Sequence, residues 1–243
     1  MIHAYKQFFN NKKAIKPCGP LAPYHWYKLP KPIPGQWMAY SLMLDEHSME
    51  LANSINELQR YITTLAAWKE VIDNKSDSEK FEIVIEFIDP ITTLAINLPY
   101  VIRSRFIYSV AHLCHQANQV NQKNWVDDLP IDNEIYFDVD DKYASLWKSY
   151  KKLKFALEKI SNKQYQSDTY DFRNKYNHRY SPKIEIGVTG LVRRNVRANG
   201  QVSYGLGYTK PIKIDQLLPV LSAQYLACLK AFEEYQKLVQ EHI

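Results

Sequence analysis

This sequence predicts a mainly α-helical chain: a bundle of four or five helices with one β-hairpin inserted before the last. Apolar residues recur at spacings of three or four through most of its 243 residues. Only seven glycines are present, which favours helices over a turn-rich β fold. Late in the chain the apolar period changes to two, around Asn199-Gly200, the strongest hairpin signal in the sequence.

From the N-terminus to about Gly35 the chain holds Pro17, Pro20, Pro23, Pro30, Pro32 and Pro34, and no regular helix survives that density after Lys16. Tyr24, Trp26 and Tyr27 would be costly to leave wet, so residues 1–35 are expected to form an extended arm on a single helical body, residues 36–243. Within that body, Leu44, Met49, Leu51, Ile55, Leu58, Ile62, Leu65, Trp68 and Ile72 predict a helix from Gln36 to about Asp73. Asn74 to Asp77 is a polar break, and Ser78 with Glu82 can open the next helix. Glu79 to Ile88 reads as heavily buried. Asp89-Pro90 and Leu98-Pro99 read as bends or helix starts, with a further helix from Val101 to about Gln122.

Asn124 to Asp141 is polar and acidic and predicts a loop with a short extended piece at Glu134-Ile135-Tyr136-Phe137. Tyr143 to Ile160 returns to helical spacing, and Gln166 to Tyr180 is read as one more helix, with Asp168 near its start. The hairpin is placed at about 183–209: Ile184, Ile186 and Val188 alternate, and Val202 to Tyr208 fits the return strand. Ile214 to Ile243 closes the chain as a helix, with Pro219 expected in its first turn.

The net charge of +5 permits a polyanionic partner without establishing one. Cys18, Cys114 and Cys228 show no paired spacing and read as free thiols in a reducing cytoplasm. No stretch approaches the roughly 18 uninterrupted apolar residues of a membrane span, and no apolar run follows the first lysines as in a signal peptide.

The chemistry concentrates in Asp171-Phe172-Arg173-Asn174-Lys175-Tyr176-Asn177-His178-Arg179-Tyr180-Ser181-Pro182, at the end of an expected helix that Pro182 cannot continue. Arginine forks onto phosphate oxygens, and histidine moves protons near neutral pH. Held together, they supply what phosphodiester cleavage needs without a metal. Asn174 and His178 share a helix face, so the amide can orient the imidazole. Arg173 and His178 are five apart, about 140° around a helix. Either the arginine wraps round, the last turn unwinds, or two protomers each supply part of one site. Read without further context, the stretch is also an ordinary polar helix end, where cations are favoured.

Arg173-x4-His178-x-Tyr180, with polar Asn174 after the arginine, resembles the signature of the HEPN (higher eukaryotes and prokaryotes nucleotide-binding) family. The helix from Ser104-Arg105-Phe106 to His115-Gln116-Ala117-Asn118 and the late "FRN…NHR" helix resemble a bacterial HEPN subfamily of this length. The resemblance implies a helical bundle that dimerises with its motif helices facing. It implies a metal-independent endoribonuclease of toxin or phage-defence type, without a cofactor. His178 would be its acid or base and Arg173 its phosphate ligand, with Asn174 holding either group. The products would be a 2′,3′-cyclic phosphate and a 5′-OH. In HEPN toxins paired with minimal nucleotidyltransferases, a tyrosine at the place of Tyr180 is adenylylated by the partner. The alternative is a non-catalytic HEPN-like module that binds RNA, a nucleotide or a protein.

Arg179, Lys183, Arg193, Arg194 and Arg197 are candidates to track an RNA backbone, although arginines at a hairpin tip also keep an edge strand from aggregating. His112 and His115 flank Cys114, but no further ligands follow at motif spacing, so no metal is assigned. The acidic run at Asp127-Asp128 and Asp138 to Asp141 lacks the glycine and terminal glutamate of a calcium loop.

Overall fold

The structure, a computed structural model, describes residues 2–29, 31–73 and 75–242. Met1 and Pro30 of the expected arm, Asn74 of the polar break and Ile243 lie outside the described residues. The chain is mainly helical, with a two-stranded antiparallel hairpin before the C-terminal helix. Its helices are α1 (Ile2–Ala14), α2 (Met38–Ile72), α3 (Asp77–Ile83), α4 (Asp89–Asn121), α5 (Phe137–Ala144), α6 (Tyr150–Leu157), α7 (Lys163–Asp168), α8 (Phe172–His178) and α9 (Ile214–His242). The hairpin is β1 (Val192–Val196) and β2 (Val202–Leu206). The chain divides into two compact units. The first is Met1–Cys18, Arg60–Asn97 and Lys163–Ser222; the second is Gly19–Gln59, Leu98–Asn162 and Ala223–Ile243.

The first part of the expected extended arm is a helix instead, α1, ahead of the first proline at Pro17, and in the first unit it is held by an aromatic stack. Trp68, 1% exposed, lies between Phe8 (centroids 4.4 Å, planes 12° apart) and Phe87 (4.7 Å, 17°). The cap of α3 is Ser76, not Ser78: Ser76 and Glu79 form a reciprocal capping box, with Asp77 and Glu79 favourably placed in the first turn. A π-helical turn, Val84–Ile88, leads into α4. The expected heavy burial of Glu79 to Ile88 holds only in part. Ile83, Val84 and Ile88 are buried, whereas Phe81 and Ile85, four apart, share the exposed face.

Helix α4 also runs through Leu98-Pro99 instead of restarting after it. Pro99 removes one backbone donor from the helix. Nearby, the buried Tyr165 hydroxyl donates to the Ile96 carbonyl at 2.8 Å, a tertiary hydrogen bond at the weakened turn. Pro219 likewise falls inside α9, five residues after its first, and not in the first turn.

In the second unit the proline-rich segment is tied down within reach of α2. The Ala22 N–H donates to Asn56 Oδ1 at 2.7 Å, and Tyr24 donates to Asn53 Oδ1 at 2.9 Å. Trp26 meets Phe232 and Tyr235 edge-on, each at 6.0 Å. The acidic stretch departs from expectation: Phe137 begins α5, with no strand at Glu134 to Phe137. Asp138 sits in its first turn, where negative charge is favoured, and Val139, Asp140, Tyr143 and Ala144 are buried. The expected helix from Tyr143 to Ile160 is interrupted at 145–149, where Glu241 accepts from the backbone N–H groups of Lys148 (2.7 Å) and Ser149 (2.8 Å).

Asp140 is fully buried and neither carboxyl oxygen finds a hydrogen-bond partner among the described residues. Burial first, then the nearby Asp141, raises its pKa well above the usual 3.8. The native state therefore keeps a proton that the unfolded chain releases. Stability should fall as pH rises through the unfolded pKa, until the native carboxyl itself ionises. Asp140→Asn is expected to remove this slope. Relative to the wild type it should gain stability between about pH 3 and pH 7, by about 1.4 kcal/mol for each unit by which the native pKa exceeds the unfolded one, and near pH 3 that gain should vanish. Urea unfolding at both pH values checks it; equal ΔΔG at the two would refute the assignment.

Candidate functional site

The expected helix from Gln166 to Tyr180 is two helices. Tyr170 (φ 53°) and Asp171 (φ 55°) take the left-handed conformation and end α7 before α8 begins. Asp168 therefore lies at the end of α7, not at a helix start. An aspartate tolerates this backbone because its short carboxylate bonds locally. Asp171 accepts from the Gln166 amide at 2.6 Å and the Asn174 amide at 2.9 Å. Those two hydrogen bonds, with Lys175 and Arg179 adding positive charge, hold its carboxyl below the usual range. The Lys175 ammonium donates to the Tyr170 carbonyl at 2.6 Å and closes the turn.

Phe172 is the anchor of α8. It is buried, and its ring stacks on Tyr176 at 5.8 Å. Around it Arg173, Asn174, His178, Arg179 and Tyr180 are all exposed. Arg173 is the second residue of α8 and His178 the last, so they stand near opposite ends of two helical turns and about 140° apart around the axis. The Asn174 amide is directed to Asp171, and His178 makes no hydrogen bond or ion pair among the described residues. After His178 the backbone turns extended at Arg179 (φ −151°), so Tyr180 lies outside the helix and helical spacing no longer relates it to Arg173. It is 86% exposed.

The base of the hairpin adjoins this end of α8. Thr189 Oγ1 donates to the Ser181 carbonyl at 3.1 Å, and Thr189 and Thr209 exchange backbone hydrogen bonds. Ile184 forms an isolated bridge with Ile212, and the continuous ladder begins only at Val192, eight residues later than the alternation suggests. Lys183 is exposed and opposes the effect of burial on the Asp89 carboxyl, which remains raised. Arg197 to Gly200 closes the ribbon, with the Gly200 N–H on the Arg197 carbonyl at 2.9 Å. Gly200 has φ 80°, the left-handed position that glycine fills without strain. Arg193 lies across Gly207, where a Cβ would come within 2.8 Å of its side chain, and donates to the Tyr208 carbonyl at 2.8 Å. Arg197 donates to Gln201 at 3.2 Å. Arg194 makes no such bond among the described residues.

The charge distribution is lopsided. From Phe172 to Ile214 the chain carries nine of its 31 lysines and arginines and one of its 26 aspartates and glutamates, so this stretch is +8 and the remainder −3. The one acid, Glu185, is buried, accepts from the Ile214 N–H at 2.5 Å and lies 3.4 Å from Lys213. Tyr176, Tyr180, Tyr204 and Tyr208 are exposed along the same stretch. This count was open to sequence reasoning that looked instead for short motifs; the roles of Asp171 and the exposed tyrosines were not.

A second titratable group lies in the other unit. His112 Nε2 is 3.6 Å from Asp132, whose carboxylate also accepts from Tyr108 at 3.3 Å, and the His47 ring is 6.2 Å from that of His112. Burial lowers the pKa of both histidines, that of His47 to about 4, so the His112–Asp132 approach is a neutral contact at pH 7 and not an ion pair. His115 is separate, buried beside Asp127 and Trp125. Among the described residues no group of three or more candidate ligands could hold a metal ion. No described helix is long and apolar enough to cross a membrane. No family model, curated protein or solved structure matches the chain.

Proposed function

We propose that this protein is a metal-independent endoribonuclease of HEPN type, acting in the cytoplasm in a toxin or phage-defence role. The observation that carries the reading is the segregation of charge. The stretch that holds Arg173 and His178 bears +8, its single acid is buried, and the adjoining Asp171 carboxylate is engaged by Gln166 and Asn174, so it offers a polyanion a predominantly positive field. Arg179, Lys183, Arg193, Arg194 and Arg197 belong to that field, and exposed Tyr176 and Tyr180 give unpaired bases faces on which to stack.

Arg173 binds the scissile phosphate and opposes the charge that grows on it. A neutral His178 takes the proton of the 2′-OH as that oxygen attacks phosphorus. The P–O5′ bond breaks, and a protonated imidazole gives its proton to the departing 5′ oxygen. The products are a 2′,3′-cyclic phosphate and a 5′-OH. Arg173 and His178 diverge around α8, and a homodimer with the motif helices facing brings two of each to one phosphate. One imidazole then serves as base and the other as acid. Asn174, through Asp171, fixes the turn that presents Arg173. Tyr180, exposed beyond the helix end, is accessible to a modifying antitoxin such as a minimal nucleotidyltransferase.

The test is incubation of the protein with single-stranded RNA in EDTA, with analysis of the product ends. Cleavage to 2′,3′-cyclic phosphate and 5′-OH termini, with DNA of the same sequence left intact, is the expected outcome. A second reading, a non-catalytic HEPN-like module that binds RNA, a nucleotide or a protein, draws on the Asn174 amide facing Asp171 instead of His178. RNA binding without cleavage of any RNA offered would select it.

A further inference from the structure

The hairpin has one face that none of the described residues covers. Its register pairs Val192 with Leu206, Arg194 with Tyr204, and Val196 with Val202. These six side chains project from the same side, since neighbours along a strand alternate. All six are exposed, Leu206 at 95% and Tyr204 at 70%. The opposite side carries Arg193, Asn195, Ser203 and Gly205, a polar face that Arg193 braces by its bond to Tyr208. A two-stranded ribbon in water is marginal by itself, and one with its apolar face wet is more so.

We propose that this face pairs with the same face of a second copy of the chain. The order of the rungs is the argument. Place a two-fold axis along the length of the ribbon, midway between two ribbons stacked face to face at the usual spacing of about 10 Å between sheets. Val192 then meets Leu206 of the other copy, Val196 meets Val202, and Arg194 lies over Tyr204, twice each. Aliphatic side chains find aliphatic side chains, and each guanidinium finds the electron-rich face of a tyrosine. The contact is isologous and closes at two copies.

Six side chains a side fall short of the ~800 Å² per partner of a standard stable interface, so the ribbon contact by itself should be weak, with a Kd of roughly 10–100 µM. Arg193 and Arg197 bring like charges near the contact, so association should strengthen as salt screens them. RNA binding to the same stretch should weaken with salt, which separates the two properties. Because Thr189 ties the ribbon base to Ser181, pairing would also carry two copies of the α8 end into one particle. The inference does not depend on catalysis, and His178→Ala should associate as the wild type does.

Sedimentation velocity across a concentration series, at low and high sodium chloride, tests it. The wild type should form a dimer that strengthens with salt. Leu206→Glu should weaken the dimer at least tenfold. Tyr204→Arg should weaken it as far, because the axis then sets arginine against arginine. Adding Arg194→Tyr to Tyr204→Arg exchanges the two residue types across the rung and should restore the dimer. All these positions are exposed, so circular dichroism should show the helices intact. A wild type that stays monomeric at high concentration and high salt overturns the proposal. So does a dimer that Leu206→Glu leaves intact, or a double substitution that fails to restore what Tyr204→Arg removes.

Discussion

Replacing His178 with alanine is expected to lower metal-free RNA cleavage by about 10²–10⁴-fold, the usual worth of a positioned acid–base group. RNA binding should be nearly unchanged, because the imidazole is one exposed group beside nine lysines and arginines in the same stretch. Folding should also be unaffected: His178 is the last residue of α8, and its side chain has no hydrogen-bond partner among the described residues. Arg173→Ala should act differently. It removes a phosphate ligand, so it should weaken RNA binding as well as slow the reaction by about 10²-fold or more. Arg173→Lys should recover binding better than rate, since an ammonium restores the charge but not the two-pronged geometry. Rates measured under single-turnover conditions in EDTA, with anisotropy for binding, separate the two effects. Should His178→Ala cut as fast as the wild type, cleavage comes from elsewhere and the assignment to α8 is lost.

Much of the fold was legible because burial and period agree where helices are long. The apolar spacing from Leu44 to Ile72 marks α2, and Asn199-Gly200 marks the hairpin turn. What sequence reasoning missed lies where a local signal is overruled by a contact far along the chain. Leu98-Pro99 has every feature of a helix boundary, yet α4 continues, with Tyr165 donating to Ile96 from another segment. Tyr170 and Asp171 carry no glycine or proline to announce the break before α8. It shows only in the hydrogen bonds from Gln166, Asn174 and Lys175. The acidic residues after Asp138 read as a solvated loop because charge suggests exposure, whereas a helix N-terminus also takes negative charge. At the candidate site, residue types and exposed placement could be read from the motif. The direction of Asn174 could not, because its partner, Asp171, adopts a conformation that no periodicity encodes.

The largest loss of stability is expected from Trp68→Ala. Trp68 is the middle of a three-ring stack whose outer members come from different parts of the first unit: Phe8 from α1 and Phe87 from the π-helical turn before α4. Truncation removes the indole and leaves two rings facing a void that α2 cannot fill by itself. Phe or Trp to Ala at buried sites costs about 3–5 kcal/mol. Trp68→Phe keeps a flat ring between the other two and should cost substantially less. The consequence should also be local. Only Ala4 and Phe8 are buried within α1, so its attachment rests on few contacts. Loss of the stack should release α1 before the rest of the unit unfolds, exposing Ile2–Ala14 to proteolysis under conditions where far-UV ellipticity is little changed. Urea unfolding with limited proteolysis checks both parts. A cost below about 1 kcal/mol would mean that the three rings are not a cooperative packing element. A large cost with α1 still protected would mean that Tyr5, 6.5 Å from Phe87, and the Asn11 amide, 3.4 Å from the Ala67 carbonyl, hold the helix without the indole.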